Sequence, residues 1–318
     1  MTARFTVLAS GSGGNATLLE ADGFGLLIDC GLHPRFLSAR LAAVGASWEK
    51  VDAVVLTHTH GDHWKDLTLA ECCSRRIPVY AHPAQLNHLN TAAPSFDALR
   101  RGNLTRSYAD GRVIDLAPGL TCRPIRVSHD SDPTFAFRFD YRDAAGDGPA
   151  WAVGHASDLG CVTDELIAAF AGVDVLAVEF NHDERMERNS PRPAFLVQRV
   201  LSDTGHLSNR QAAEFARAVA ARSGPGFPSH LVQLHLSKDC NHPFLAESAG
   251  RNALADLNPS AVVVTAKQDV PVRGIPLARR PDAARRNEPR ESTGPRADFR
   301  RSTTLEEVHP RLPGFDGF

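Results

Sequence analysis

The stretch "VVLTHTHGDHW", Val54–Trp64, breaks an apolar run with three histidines and an aspartate packed into six positions. Val54 to Leu56 have the aliphatic, partly β-branched character of a buried strand, and a short polar loop bending at Gly61 follows. Neutral imidazoles and a carboxylate gathered at a strand end suit zinc or a similar divalent ion. A polar turn with incidental histidines would have to account for His58, His60, Asp62 and His63 together, and so many fixed positions rarely arise by chance.

One loop cannot complete two coordination spheres, so this reading predicts further ligands at later strand ends. "CRPIRVSHD" carries His129, "AWAVGHASDLG" carries Asp158, and "HLVQLHLS" carries His235 before its pattern breaks. Each follows a strand-like run, and layered α/β folds gather their sites along one edge of such strands. Any one of these residues alone would read as a hydrogen-bonded surface group; their joint occurrence points to a metal centre.

Outward from the loop, short apolar runs alternate with amphipathic helical patterns, which predicts a mixed α/β sandwich. The predicted strands are "RFTVLA", "ATLLEA", "FGLLID", "DAVVLT", "RVIDL", "CRPIRV", "TFAFRFD", "AWAVGHAS", "VDVLAVEF", "HLVQLHL" and "AVVVTA". Pro34 suits the first turn of a helix over "RFLSARLAAVG", with Gly45 as its stop. Ser208 is the expected N-cap of "NRQAAEFARAVAAR", where Ala212, Phe215, Ala216 and Val219 make one apolar face.

The 318 residues are 42% hydrophobic and 23% charged, an ordinary balance for a soluble globular protein able to bury a sizeable core. A net charge of -2 gives no basic footprint for holding nucleic acid by electrostatics alone, so any polyanion site must be local. No apolar run is long enough for a membrane span, and the six cysteines lack metal or redox spacing. The expectation is a cytoplasmic protein with reduced thiols. From Pro271 the chain turns rich in Pro and Arg, with ten arginines against seven acidic residues. Residues 1–270 are therefore expected to form the domain and residues 271–318 a disordered tail of net charge +3, leaving -5 for the rest.

These residues resemble the metallo-β-lactamase fold superfamily, whose HxHxDH signature stands here as His58, His60, Asp62 and His63. The resemblance implies a four-layer αββα sandwich with two metal sites. In that pattern His58, His60 and His129 hold the first ion, Asp62, His63 and His235 the second, and Asp158 bridges them. "LASGSGGNATLLE", "LLIDCGL", "SDLG", "VEFNHD", "GHLSN" and "HLS" are further similar to the YycJ/WalJ-type branch, over roughly Phe5 to Ala266. Members of that branch are regarded as DNA exonuclease-like hydrolases.

Two divalent ions about 3.5 to 4 Å apart can share and acidify a water and stabilise both attacking and leaving oxygens. Asp158 as an oxygen bridge favours a binuclear hydrolytic site, and His60 stands where diiron members of the fold have Glu, which disfavours a redox role. Other groups are expected to meet substrate. Ser12 and Asn15 lie in "SGSGGN", a glycine-rich turn able to cradle an anion, and the resemblance turns both toward the metals. His206 precedes a helix N-terminus with Ser208, where it could bind phosphate or protonate a leaving oxygen. Asp62 is expected both to ligate and to orient the attacking water. Asn181, His182 and Asp183 read as groups that orient a ligand, whereas His33, His82, His88, His155 and His242 read as structural.

The leading expectation is a 5′ exonuclease-like phosphodiesterase acting on DNA with two divalent ions, zinc first and manganese second. Hydrolysis of a small thioester, lactone or cyclic phosphodiester is the alternative. A non-catalytic metal-stabilised binding module is the weakest reading, because a structural zinc closes its shell with four ligands, and seven candidates are present.

Overall fold

Strands that are apolar on both faces need a covering layer on each side, and the strands of this chain are built that way. In the computed structural model, which describes residues 3–131, 133–143 and 148–280, β1 (Ala3–Ala9), β2 (Ala16–Ala21) and β3 (Phe24–Ile28) form an antiparallel meander. From β3 the sheet continues in parallel through β4 (Ala53–Val55), β5 (Val79–Ala81) and β6 (Thr105–Ser107). The second sheet repeats the plan. β7 (Ile114–Ala117), β8 (Leu120–Val127), β9 (Thr134–Tyr141) and β10 (Trp151–Ala156) are antiparallel neighbours. β11 (Val175–Glu179), β12 (His230–Leu234) and β13 (Val262–Thr265) then extend it in parallel from β10.

The strand period of two sorts side chains between cores. Leu26 and Ile28 of β3 face the inter-sheet core with Phe5, Phe137 and Val153, while Leu27 faces the opposite way. That outer face is covered by α1 (Pro34–Ala43), α2 (Asp66–Ser74), α3 (Pro83–Ala92) and α4 (Phe96–Arg101), through Leu37, Leu69, Leu89 and Leu99. Leu176 and Val178 of β11 pack against Phe170, Phe215 and Ala246 of α5 (Asp164–Phe170), α8 (Asn209–Arg222) and α9 (Pro243–Leu254). Two short helices, α6 (Glu184–Arg188) and α7 (Ala194–Val200), lie in the connection from β11 to α8. The architecture is the expected four-layer αββα sandwich.

The predicted helix signals act as expected. Pro34 occupies the first turn of α1, and Ser208 caps α8 in a reciprocal capping box with Gln211. Three histidines left as structural share one device: His33, His82 and His242 each precede a proline, and each ring accepts the backbone N–H two residues on, capping α1, α3 and α9. Among the described residues no helix is long and apolar enough to cross a membrane.

Two expectations need correction. β5 and β6, of three residues each, were not predicted; so short a run shows no period. The domain also does not end at residue 270. β14 (Ile275–Pro276) pairs with β1 at the sheet edge, and Ile275 and Leu277 enter the inter-sheet core. Arg280 is buried, 2.8 Å from Asp174 and stacked 4.6 Å from the centre of the Phe227 ring. The Pro and Arg composition hid this because a guanidinium can be buried when it is paired. The remainder of the expected tail, 281–318, lies outside the described residues.

Candidate metal centre

The loop after β4 is pressed into place from two sides. Cys30 and Asn15 donate backbone N–H groups to the His63 and Asp62 carbonyls at 2.9 and 2.8 Å. Gly31 sits so close that a Cβ there would lie 1.6 Å from the Asp62 carbonyl oxygen, so only glycine fits. Three non-glycine residues at the site, Asp29, Asp158 and His235, have left-handed backbones with φ of 60°, 60° and 51°. Such conformations are costly and persist where the surrounding structure over-determines them.

All seven candidate ligands converge on the edge where β4, β8, β10 and β12 end. His58, His60 and His129 offer donor atoms within 4.8 Å of one another, and so do Asp62, His63 and His235. Asp158 joins the two groups: its Oδ2 is 3.1 Å from His63 Nε2, and its Oδ1 is 3.4 Å from His235 Nδ1 and 4.0 Å from His129 Nε2. Donors around a tetrahedral ion with bonds of about 2.0–2.1 Å stand roughly 3.3–3.4 Å apart. His60 Nδ1 to His129 Nε2 and Asp62 Oδ2 to His235 Nε2 are both 3.3 Å. Nε2 of the fully buried His58 has no hydrogen-bond partner among the described residues, a costly omission that a metal ion would repair. The donor set therefore fits divalent ions.

The far sides of these rings are held by Asp29, Thr57, the Gly205 carbonyl and Asn181, of which only Asn181 was expected from the sequence. Asp29 accepts from the Thr57 N–H and hydroxyl, and its Oδ2 is 2.8 Å from His63 Nδ1. The Thr57 hydroxyl is also 2.9 Å from His58 Nδ1, and His129 Nδ1 is 2.9 Å from the Gly205 carbonyl. Asn181 meets both His235 Nδ1 and its carbonyl, the orienting role expected of it. Glu179, the buried last residue of β11, accepts the Leu159 and Leu207 N–H groups at 2.9 Å through Oε1 and faces His206 Nδ1 through Oε2. A carboxylate ending an all-apolar strand was the available signal for Asp29 and Glu179, because a buried charge demands partners.

Protonation follows from these contacts. Burial, reinforced by His63, holds the His58 imidazole well below its ordinary value and hence neutral. Burial would also lower His63, but Asp29 and Asp158 outweigh it and raise His63 well above the usual range, so a metal bound there must displace a proton. Burial opposes ionisation of Asp158, yet the surrounding histidines, His235 and His63 foremost, hold its carboxyl well below the usual range. His206 is likewise desolvated, but Glu179 and then Asp158 push it up to about 9.

Of the residues expected to meet substrate, the structure brings two to the cluster. Asn15 Nδ2 is 3.3 Å from Asp62 Oδ2 and 3.0 Å from His63 Nε2; its Oδ1 accepts the Gly11 N–H, which fixes the amide's orientation. His206 sits beside Asp158 and Glu179, 16% exposed. Ser12 stands exposed on its turn, and the amides expected to cradle an anion are already committed: Gly11 to Asn15, Gly13 to Gln268 and Gly14 to the Gly11 carbonyl. Ser208 is fully buried and occupied in capping α8 and bonding Glu184. Asp183 caps α6, while both ring nitrogens of buried His182 lack partners among the described residues.

A fold of two mixed sheets between helices, with a histidine and aspartate cluster at their common edge, defines the class, and the family comparison agrees: the model of the β-lactamase superfamily domain matches residues 25–230, and the chain belongs to that superfamily. It is similar to the exodeoxyribonuclease WalJ of Streptococcus pneumoniae, 29% identical over 261 residues that cover 79% of this chain and 88% of that protein. The exodeoxyribonuclease YycJ of Bacillus anthracis is 28% identical over 260 residues, covering 80% and 90%. Among solved structures, the metallo-β-lactamase fold protein YhfI from Bacillus subtilis has a TM-score of 0.58 at 18% identity, over 86% of this chain and 99% of that one. That likeness shows the fold.

Proposed function

We propose that the protein is a phosphodiesterase dependent on two divalent metal ions that removes nucleotides from the 5′ end of DNA. The observation that carries this reading is the union of two ligand groups through the buried Asp158 carboxylate, with His206 and Glu179 at their border. Imidazole and carboxylate donors favour zinc, with manganese as the second candidate. When bound, the ions would supply an acidified water and positive charge for the attacking and leaving oxygens.

The chain's own residues handle orientation and protons. Asp62 is held between Asn15 Nδ2 and His235 Nε2, which aims its carboxylate into the cluster. Glu179 engages His206 at Nδ1 and leaves Nε2 to face outward, so His206 protonates the leaving oxygen from Nε2 as the P–O bond breaks. The charge raised on His206 by two carboxylates suits that role, although dications beside Asp158 draw it back toward neutrality.

DNA as substrate is supported by the two related exodeoxyribonucleases, and the negative charge of the domain leaves the ions as the local attraction for phosphate. The six free cysteines fit a reducing compartment, the cytoplasm. The test is a screen of metal-reconstituted protein on 5′- and 3′-labelled single- and double-stranded DNA, on RNA, on small phosphodiesters and on thioesters. Mononucleotide release from labelled DNA 5′ ends is expected; turnover of thioesters or lactones alone would replace this reading.

A further inference from the structure

The connection between β11 and α8 carries a short helix that is strapped to the metal centre at both ends. At its start, Arg192 reaches buried Glu187 at 3.1 Å and also Asp239 at 3.1 Å and Ser237 at 3.4 Å, in the loop that follows His235. At its end, Arg199 Nε is bonded to Asp130, whose other oxygen is 3.3 Å from His129 Nε2 and 3.4 Å from His60 Nε2. α7 thus bridges two of the loops that carry the candidate ligands. Phe195 stands in its first turn, 72% exposed. Residues four apart on a helix share a face, so Phe195 lies on the face that Arg199 turns toward the His129 loop. Arg199 is itself half exposed and is bonded through Nε alone among the described residues, leaving its Nη groups to a phosphate.

An exposed aromatic ring and a guanidinium on one face, continuous with a phosphodiester-cleaving centre, match the two halves of a nucleotide. We propose that Phe195 is a stacking platform for an unpaired base at the strand end being cut, with Arg199 taking the adjoining phosphate. The preferred substrate is then an end whose terminal bases are unpaired, because only such a base presents its face to a ring. This inference rests on the nuclease reading above. Phe36, Leu67 and Phe244 are also exposed in the first turns of helices that begin at this edge, α1, α2 and α9, and they leave room for the strand to continue over apolar surface.

The test compares wild type, Phe195→Ala and Phe195→Trp on a labelled oligonucleotide and on the same strand with abasic sites at its first two positions. Phe195→Ala should raise KM for the intact strand by roughly tenfold, the size of one lost base stack, with metal content unchanged, and Phe195→Trp should restore it. On the abasic strand the difference between wild type and Phe195→Ala should shrink to less than about twofold. Equal KM values on the intact strand, or an equal loss on the abasic one, would overturn the stacking role while leaving the nuclease reading in place. A wild-type protein that cuts no strand at all would overturn both.

Discussion

Glu179 Oε2 lies 3.0 Å from His206 Nδ1, and the carboxylate is wholly buried at the end of β11. Its other oxygen is fixed by two backbone N–H groups, so the pair cannot rotate apart. His206→Ala should keep the metals and lose about 10² to 10⁴ in turnover on DNA, the usual contribution of a placed acid. The loss should be smaller on a p-nitrophenyl phosphodiester, whose leaving group hardly needs a proton. Equal losses on both substrates would make His206 a phosphate-positioning group instead.

Glu179→Gln tests the same pair through pH. Glu179 is the foremost of the groups that push His206 up to about 9 against its burial. Without that carboxylate, His206 loses its proton at lower pH, and the alkaline limb of kcat/KM should move down relative to wild type under the same metal loading. An unmoved alkaline limb would detach His206 from the protonation that limits the rate.

Asp158→Ala should release at least one of two ions, because the Asp158 carboxylate stands between the two ligand groups, 3.1 Å from His63 and 4.0 Å from His129. Elemental analysis of the purified variant checks this. A variant that retains every ion bound by the wild type would rule out the bridged arrangement.

His155 offers a prediction at a buried residue that is not itself a candidate ligand. It is buried on β10 with its ring centre 6.4 Å from that of Phe5, and burial draws its pKa down to about 4. The unfolded chain takes up this proton near pH 6.5. The contribution is therefore fully present above that pH, drains as pH falls, and amounts to about 2 kcal/mol lost by pH 5. His155→Phe should lose correspondingly less stability between pH 7 and pH 5 in urea unfolding; a wild-type slope in the variant would contradict the account.

The C-terminal strap gives a stability test. A chain ended at Val270 lacks β14, the core residues Ile275 and Leu277, and the partner of Asp174. It should be less stable than one ended at Arg280 by several kcal/mol, since breaking a buried pair alone costs about 3–5 kcal/mol. Equal melting temperatures would show that the strap contributes nothing.

How much of this was legible depended on the range of the interactions. His58, His60, Asp62 and His63 are neighbours in sequence, and His129, Asp158 and His235 follow strands whose direction is set by local pattern, so their convergence could be anticipated. Asp29, Glu179 and Asp130 act through partners 20 to 70 residues away in the chain or by facing several rings at once, and no local period announces that; Glu179 meets Leu159 and Leu207, 20 and 28 residues off, and Asp130 meets Arg199, 69 residues off. Around Ser12 and Ser208 the sequence looks anion-friendly, yet the Gly11 and Gly13 N–H groups are bonded to Asn15 and Gln268 and the Ser208 hydroxyl caps α8; only the packed structure shows which hydrogen bonds are taken.

The most direct measurement is a titration of zinc or manganese into chelator-treated protein, following mononucleotide release from 5′-labelled DNA. The account predicts no release without metal and a rise that levels off at two equivalents per chain, since two ligand triads face each other across Asp158. Saturation at one equivalent, or release from the metal-free protein, would contradict it.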